Sequence, residues 1–238
     1  MRKVRADLHL HTCLSPCADT QMQATAIVEQ ARKVGLDVIA ICDHNSAENV
    51  AAVTKAGLRA ALPVIPGIEI TSSEEVHILG LFRTEQDLMG VQEVVYENLP
   101  GENSEEAFGP QTIIDEWDNT MGTNHKLLIG ATNLTLEKVV EIIHQWSGLA
   151  IASHVDRERF GLIGQLGFIP KGLELDALEV STPCAAAKEY DYPVICSSDA
   201  HFLEDIGKNP SCFMVEEASF EEIGKALRQE LGRRIVSN

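Results

Sequence analysis

No stretch of the chain approaches the roughly 20 consecutive apolar residues that a membrane-spanning helix needs, so a membrane protein is not expected. An export signal is not expected either, because Arg2, Lys3 and Arg5 lead into Asp7, Leu8 and His9 rather than into a long apolar segment. A cytoplasmic address is therefore expected, where the six scattered cysteines (Cys13, Cys17, Cys42, Cys184, Cys196 and Cys212) would stay reduced and form no structural disulfide. Basic charge is scarce: 19 Lys and Arg face 36 Asp and Glu, for a net charge of −17 at pH 7. A surface of that sign repels the phosphate backbone, which predicts that long duplex nucleic acid is not a partner. Most of this charge serves solubility, although a cluster of metal ions could reverse the sign inside one pocket. No internal repeat or low-complexity tract stands out.

What is present is enough for one substantial core: 238 residues, 45% apolar and 23% charged, read as a single domain over 1–238. Short apolar runs read as buried strands at Val4–Leu10, Val38–Cys42, Val64–Ile68, Val76–Leu81, Leu149–Ser153, Ala177–Val180, Val194–Ser197 and Cys212–Val215. Helical spacing fills several of the gaps. Ala24–Val34 places Ile27, Val28, Ala31 and Val34 on one face and stops at Gly35, while Glu48–Ala61, Leu136–Trp146 and Phe220–Leu231 behave alike. Strand and helix in alternation predict parallel β/α units, built either as a closed barrel or as an open doubly wound sheet. The segment at about 98–132, rich in Gly, Asn and acidic residues, interrupts the rhythm and reads as an insertion. It carries a short amphipathic piece, Thr112–Trp117, and is either a cap whose Phe108 or Trp117 lines a pocket or a surface elaboration.

Six of the eight histidines (His9, His11, His44, His77, His154 and His201) fall inside or just after a predicted strand, as do Asp7, Glu69 and Asp199. One strand-end histidine is weak grounds for a site, but nine such groups together are not. In a β/α barrel the C-terminal ends of the strands form one face, so residues distant in sequence converge there. Along a strand the side chains repeat every second residue, which lets His9 and His11 reach one metal ion, and Asp199 and His201 repeat the spacing. Imidazole nitrogen with carboxylate oxygen suits zinc, manganese or iron, and the lack of obligatory thiolates speaks against a zinc finger. Cys13 and Cys17 are expected to be small packing residues in a turn with Pro16, and His144 an ordinary helical histidine. His125, in the insertion, is a candidate substrate contact.

Taken together, Asp7 to Thr12 (DLHLHT), Cys42 to His44 (CDH), Gly67 to Glu69 (GIE), Val76 to Gly80 (VHILG), Ser153 and His154, and Ser198 to His201 (SDAH) resemble the polymerase and histidinol phosphatase (PHP) family. The resemblance implies an α/β fold, a distorted (β/α)7 TIM-like barrel with its metal site at the C-terminal ends of the strands. It further implies two or three divalent metal ions. His9, His11, Glu69 and Asp199 would hold the first, with Glu69 bridging to a second held by His77 and His154. A third would sit at His44, His201 and a side chain from the first loop. Many members carry Ser-Asp-Gly in that loop, whereas this chain reads Ser15, Pro16, Cys17, Ala18, Asp19. Asp19 is the candidate there, and Asp43 is expected to orient a ligand from behind rather than bind metal.

The activity so implied is a metal-dependent phosphoesterase, with a metal-bridging hydroxide attacking a small phosphorylated substrate such as a nucleotide, a short oligonucleotide or histidinol phosphate. Arg157 and Arg159 are the candidate phosphate clamps, since the guanidinium fork matches phosphate oxygens. Glu69, Asp199, His201 and Arg157 would carry the catalytic roles. Two alternatives stay open: hydrolysis of an amide or carbon ester, and a non-catalytic metal-stabilised module.

Overall fold

The computed structural model describes residues 1–181 and 190–237; Cys184 lies outside them, and the other five cysteines are free thiols. Nine strands form one sheet in the order β11-β10-β1-β2-β3-β4-β7-β8-β9. Seven of these make a nearly closed barrel: β1 (Arg2–Leu10), β2 (Val38–Ile41), β3 (Val64–Thr71), β4 (His77–Leu81), β7 (Leu149–Ala152), β8 (Ala177–Val180) and β9 (Val194–Cys196). The ring closes where the chain after β9 meets β1 in a parallel bridge, Leu10 to Ala200, with His11 N donating to Ala200 O at 3.0 Å. The fold is thus a distorted (β/α)7 TIM-like barrel. β10 (Ser211–Val215) and β11 (Arg234–Val236) extend the sheet from the edge of β1 opposite β2, both antiparallel.

Two apolar clusters cover the two faces of the sheet. Inside the ring, Val4, Ala6, Leu8, Val38, Ala40, Leu79, Leu81, Leu149 and Ile151 pack together with Ile223 and Leu227 of α7 (Phe220–Leu227). Outside, Ile39, Ile41, Ile68, Ile70 and Ile78 pack under α1 (Ala24–Lys33), α2 (Val50–Arg59), α3 (Glu85–Asn98) and α5 (Leu136–Gln145). Burying strands on both faces explains their near-continuous apolar runs. α1 ends as its sequence foretells: Gly35, at φ 75°, lets Leu36 N reach Ala31 O and Gly35 N reach Arg32 O, a closure that a side chain at Gly35 would strain. Thr135 caps α5 by accepting from Lys138 N. Among the described residues no helix is long and apolar enough to cross a membrane.

Three features depart from the expected pattern. β4 is antiparallel to both neighbours, because β3 and β4 are joined by a tight turn and no helix intervenes to carry the chain back. The β1–β2 register shifts between Asp7 and Leu10. As a result Leu8 belongs to the inner cluster and Leu10 to the outer one, although a regular strand would put them on the same side. Third, the insertion contains α4 (Glu105–Phe108) and a two-stranded hairpin, β5 (Thr112–Ile114) and β6 (Thr120–Thr123), whose first strand opens the amphipathic piece Thr112–Trp117. The hairpin lies along the loop after β1 and the start of α2: Thr112 N donates to Cys13 O, and Asn49 holds Thr112 O and Ile114 N through its amide. The short helix α6 (Leu162–Leu166) follows β7.

Candidate metal centre

The C-terminal rim of the barrel gathers eight of the nine residues expected to hold metal. β1 delivers His9 and His11, the turns after β2 and β7 deliver His44 and His154, β3 delivers Glu69, and the closing segment delivers Asp199 and His201. His77 is the first residue of β4, and it arrives at the same rim because that strand runs backwards. Two of these positions carry left-handed backbone, His154 at φ 28° and Asp199 at φ 50°. Such conformations cost on the order of 1–3 kcal/mol each and gather where surrounding structure holds a site in place.

Hydrogen bonding fixes which ring nitrogens face inward. His9 Nδ1 lies 3.0 Å from Glu179 Oε1, so Nδ1–H donates to the carboxylate and Nε2 is bare. Ser15 Oγ donates to Asp43 at 2.6 Å and therefore accepts from His11 Nδ1 at 2.9 Å, which leaves His11 Nε2 bare as well. These two bare nitrogens stand 3.1 Å apart, and Asp199 Oδ1 is 3.3 Å from the first and 3.0 Å from the second. With both rings in these neutral tautomers, three acceptors face one another at contact distance, His9 and His11 buried and Asp199 partly so. Glu69 adds a second focus: Oε1 is 3.0 Å from His77 Nδ1, 3.3 Å from His154 Nε2 and 3.4 Å from His9 Nε2, and Oε2 is 2.9 Å from His44 Nδ1.

Burial works against charge on Glu69, yet His77, His9 and His44 hold its carboxyl well below the usual range. His9 and His11 outweigh burial at Asp199 in the same way. Burial, with His201 and His44 close by, pushes His11 well below an ordinary imidazole and keeps it neutral at pH 7. Ionised carboxylates and a neutral His11 are the protonation states that metal ligands need; against burial, Glu179, Asp199 and Glu69 raise His9 and Glu69 raises His44, so bound cations would displace protons there. The donor set fits divalent cations by geometry as well, with the ligand atoms of His9, His11 and Asp199, of His44, Glu69 and His77, and of His11, His44 and His201 each grouped within 4.8 Å. Glu69 Oε2 and His44 Nδ1, both buried, face each other at 2.9 Å without the alignment of a regular hydrogen bond.

A cavity of about 330 Å³ opens over this cluster, lined among others by His44, Glu69, His77, Asp199 and His201. Arg157 and Arg159 line its edge. Arg157 is bonded through Nη1 to Asp199 Oδ2 at 2.5 Å and through Nε to Ser181 Oγ at 2.8 Å. Phe160 stacks on the His77 ring at 4.5 Å. From the insertion only Ile129 reaches the cavity, in a turn that Asn45 holds by donating to Leu128 O and Gly130 O. Phe108 and Trp117 are exposed and do not line it; Trp117 lies under the Arg59 guanidinium.

Two expected site residues are not brought to the cluster. Asp19 turns its carboxylate back onto Gln21 N, at 2.8 Å, as short acidic side chains in turns do. His125 is exposed and lines a separate depression with Tyr96 and Lys126. Conversely, Glu179, Ser15 and Cys17 take part without having been expected to. Glu179 is buried, in a strand that reads Ala177, Leu178, Glu179, Val180; a carboxylate inside so apolar a strand is the signal that could have found it. Asp43 does act from behind, reaching His11 through Ser15. Cys17 Sγ lies 3.1 Å from His201 Nε2; burial would raise its thiol, but His44 and His201 outweigh that and bring it down to about 6.

The PHP domain model matches residues 7–165, and the PHP-associated model matches 184–230. The chain belongs to the PHP domain family. It is 26% identical over its whole length to the uncharacterized protein YqxK of Bacillus subtilis, of which it spans 65%. A shorter match, 34% identical over 80 residues, covers 32% of the chain and 29% of phosphoribosyl 1,2-cyclic phosphate 1,2-diphosphodiesterase of Eggerthella lenta. Among solved structures, the lesion-specific endonuclease Q of Pyrococcus furiosus superposes with a TM-score of 0.77 at 22% identity, over 98% of this chain and 58% of that one. The same fold appears, at TM-score 0.73, 21% identity and the same coverage of both chains, in endonuclease Q bound to a 27-mer duplex with an abasic lesion at the active site.

That complex overturns the exclusion of long duplex nucleic acid drawn from net charge. The charge of −17 is a sum over the whole surface. A duplex is engaged locally, and bound cations dominate the field at such a site.

Proposed function

We propose that this PHP chain is a metal-dependent phosphoesterase that cleaves phosphodiesters, with nucleotides and nucleic acids as its leading substrate class. The observation that carries the reading is the cluster of bare acceptors, His9 Nε2, His11 Nε2 and Asp199 Oδ1, beneath a cavity edged by two arginines. Hydrolysis is the chemistry such a centre supports, and the relatives named above as a diphosphodiesterase and an endonuclease favour the diester. We take 1–238 as one domain with 98–132 as an insertion, because a single sheet runs through both matched segments. We also take the chain to be cytoplasmic, with its cysteines reduced.

His9, His11, Glu69 and Asp199 would hold one divalent ion, and Glu69, His77 and His154 a second, with zinc, manganese or iron matching the donors. Such ions, when bound, lower the pKa of water from 15.7 towards about 7 and screen phosphate charge. The chain's own residues then do the positioning. Glu179 holds the His9 ring and Ser15 the His11 ring, so each presents Nε2. The Arg157 guanidinium, anchored by Ser181 and about 43% exposed, turns its remaining N–H groups to the non-bridging phosphate oxygens. Arg159 adds a second positive charge at the mouth. His201 donates Nδ1–H to Asp199 O at 2.8 Å, which leaves Nε2 to ligate rather than to carry a proton.

The test is hydrolysis of bis-p-nitrophenyl phosphate, p-nitrophenyl phosphate and p-nitrophenyl acetate by metal-loaded protein, with Glu69→Gln as control. Diester cleavage that needs metal and vanishes in the variant supports the reading. Cleavage of the acetate alone, or of none of the three at full metal loading, sinks it.

A further inference from the structure

We propose that Cys17 is the first-loop ligand of a third metal site, binding as a thiolate beside His44 and His201 where an acidic residue was expected. This rests on the metal-dependent reading above and adds to it a ligand of different chemistry.

The loop after β1 is pinned to the segment that carries His201: Asp19 N donates to His201 O at 2.9 Å, and His11 N to Ala200 O at 3.0 Å. Between these anchors Ala18 N bonds Ser15 O, and the tight turn leaves Cys17 at the cavity wall. Its Sγ stands 3.1 Å from His201 Nε2. Because His201 Nδ1–H is committed to Asp199 O, that Nε2 is a bare lone pair. Cys17 meets His44 as well. His44 is 6% exposed, and its Nδ1 stands 2.9 Å from Glu69 Oε2. The ligand atoms of His11, His44 and His201 already lie within 4.8 Å of one another. The residue expected in this place, Asp19, spends its carboxylate on Gln21 N. Among the described residues no other cysteine lines the cavity; Cys13 is buried against Thr112 O and Cys42 against Leu8 O.

Ligation transfers the thiol proton to solvent and forms a metal–sulfur bond, with no change of oxidation state. A soft thiolate with imidazoles selects zinc, iron or cobalt over manganese and magnesium, so this site discriminates among metals in a way that an all-oxygen-and-imidazole site does not.

The experiment strips the full chain, reloads it with Co(II), and reads both sulfur-to-cobalt charge-transfer absorption and bound metal by mass spectrometry. The intact protein is expected to show the absorption. Cys17→Ser should lose it together with a metal ion per chain, Cys17→Asp should lose it yet keep the ion and gain manganese affinity, and Cys13→Ser and Asp19→Ala should change neither. Persistence of the absorption in Cys17→Ser, or full and equally tight metal loading in that variant, overturns the assignment. Metal bound without any thiolate absorption in the intact protein defeats Cys17 alone. No tightly bound metal at all defeats the metal-dependent reading with it.

Discussion

Replacing Glu179 by Gln tests how the centre is held, because this buried carboxylate serves two of its members. Oε1 accepts from His9 Nδ1–H at 3.0 Å and from His154 N at 3.2 Å. Gln retains the shape and one acceptor but removes the charge that favours Nδ1–H and sharpens the basicity of His9 Nε2. Loss of such an outer partner weakens metal binding by about 10–100-fold. At ~1.4 kcal/mol per tenfold this is about 1.4–2.8 kcal/mol. Fold stability without metal should change little. Glu179→Ala is harsher, since it strands two buried donors at about 1–3 kcal/mol each, and should cost about 2–6 kcal/mol of stability as well. Zinc titration by calorimetry, beside thermal melts of the stripped proteins, separates the two effects. Unchanged zinc affinity in Glu179→Gln with an intact fold would refute the role given to this residue.

Three further outcomes are expected. Arg157→Lys keeps the charge but loses the fork and the Ser181 anchor, so kcat/KM on a phosphodiester should fall by about 10–10²-fold with metal content unchanged, and unaltered kinetics would remove it from the phosphate site. Asp7 accepts from Ser198 N, Ser198 Oγ and Gly207 N at 3.0, 2.6 and 2.8 Å, tying the barrel's closing segment to β1; Asp7→Ala should cost about 2–6 kcal/mol from the stranded amides, read as a lower melting temperature. Arg233 and Lys225 hold Glu222 down to about 2, against an ordinary 4.5, so its contribution is complete above the ordinary value and is lost as the pH falls through about 2. Urea melts between those limits should therefore show a shallower acid decline for Glu222→Gln than for the intact chain, and parallel curves would count against the pairing.

The barrel strands were legible because burial on both faces writes an uninterrupted apolar run, and all eight expected strands form. What escaped has a physical cause in each case. α3 buries Gln92 among Leu88, Val91 and Val95, where it accepts from Ala47 N, so its apolar stripe is broken. The β5–β6 hairpin draws its order from the side chain of Asn49, far away in sequence, and its own three- and four-residue strands are too short to announce themselves. Antiparallel β4 was foreshadowed only by the missing helix between it and β3. The clustering of the candidate metal ligands was legible because strand ends converge whatever the loops do. In contrast, Cys17 and Asp19 sit in a turn whose backbone decides which of the two faces inward; the family resemblance put Asp19 forward, whereas its carboxylate turns onto Gln21 N. Glu179 was hidden by its apolar neighbours. The charge-based exclusion of duplex nucleic acid failed because a global sum stood in for a local field.

The most direct test of the centre is anomalous scattering from crystals grown with zinc or manganese. Peaks are expected about 2.0–2.2 Å from His9 Nε2, His11 Nε2 and Asp199 Oδ1, with Glu69 shared towards His77 and His154. Metal-saturated crystals in which that pocket scatters no more than water, or ions bound only elsewhere on the acidic surface, would contradict it.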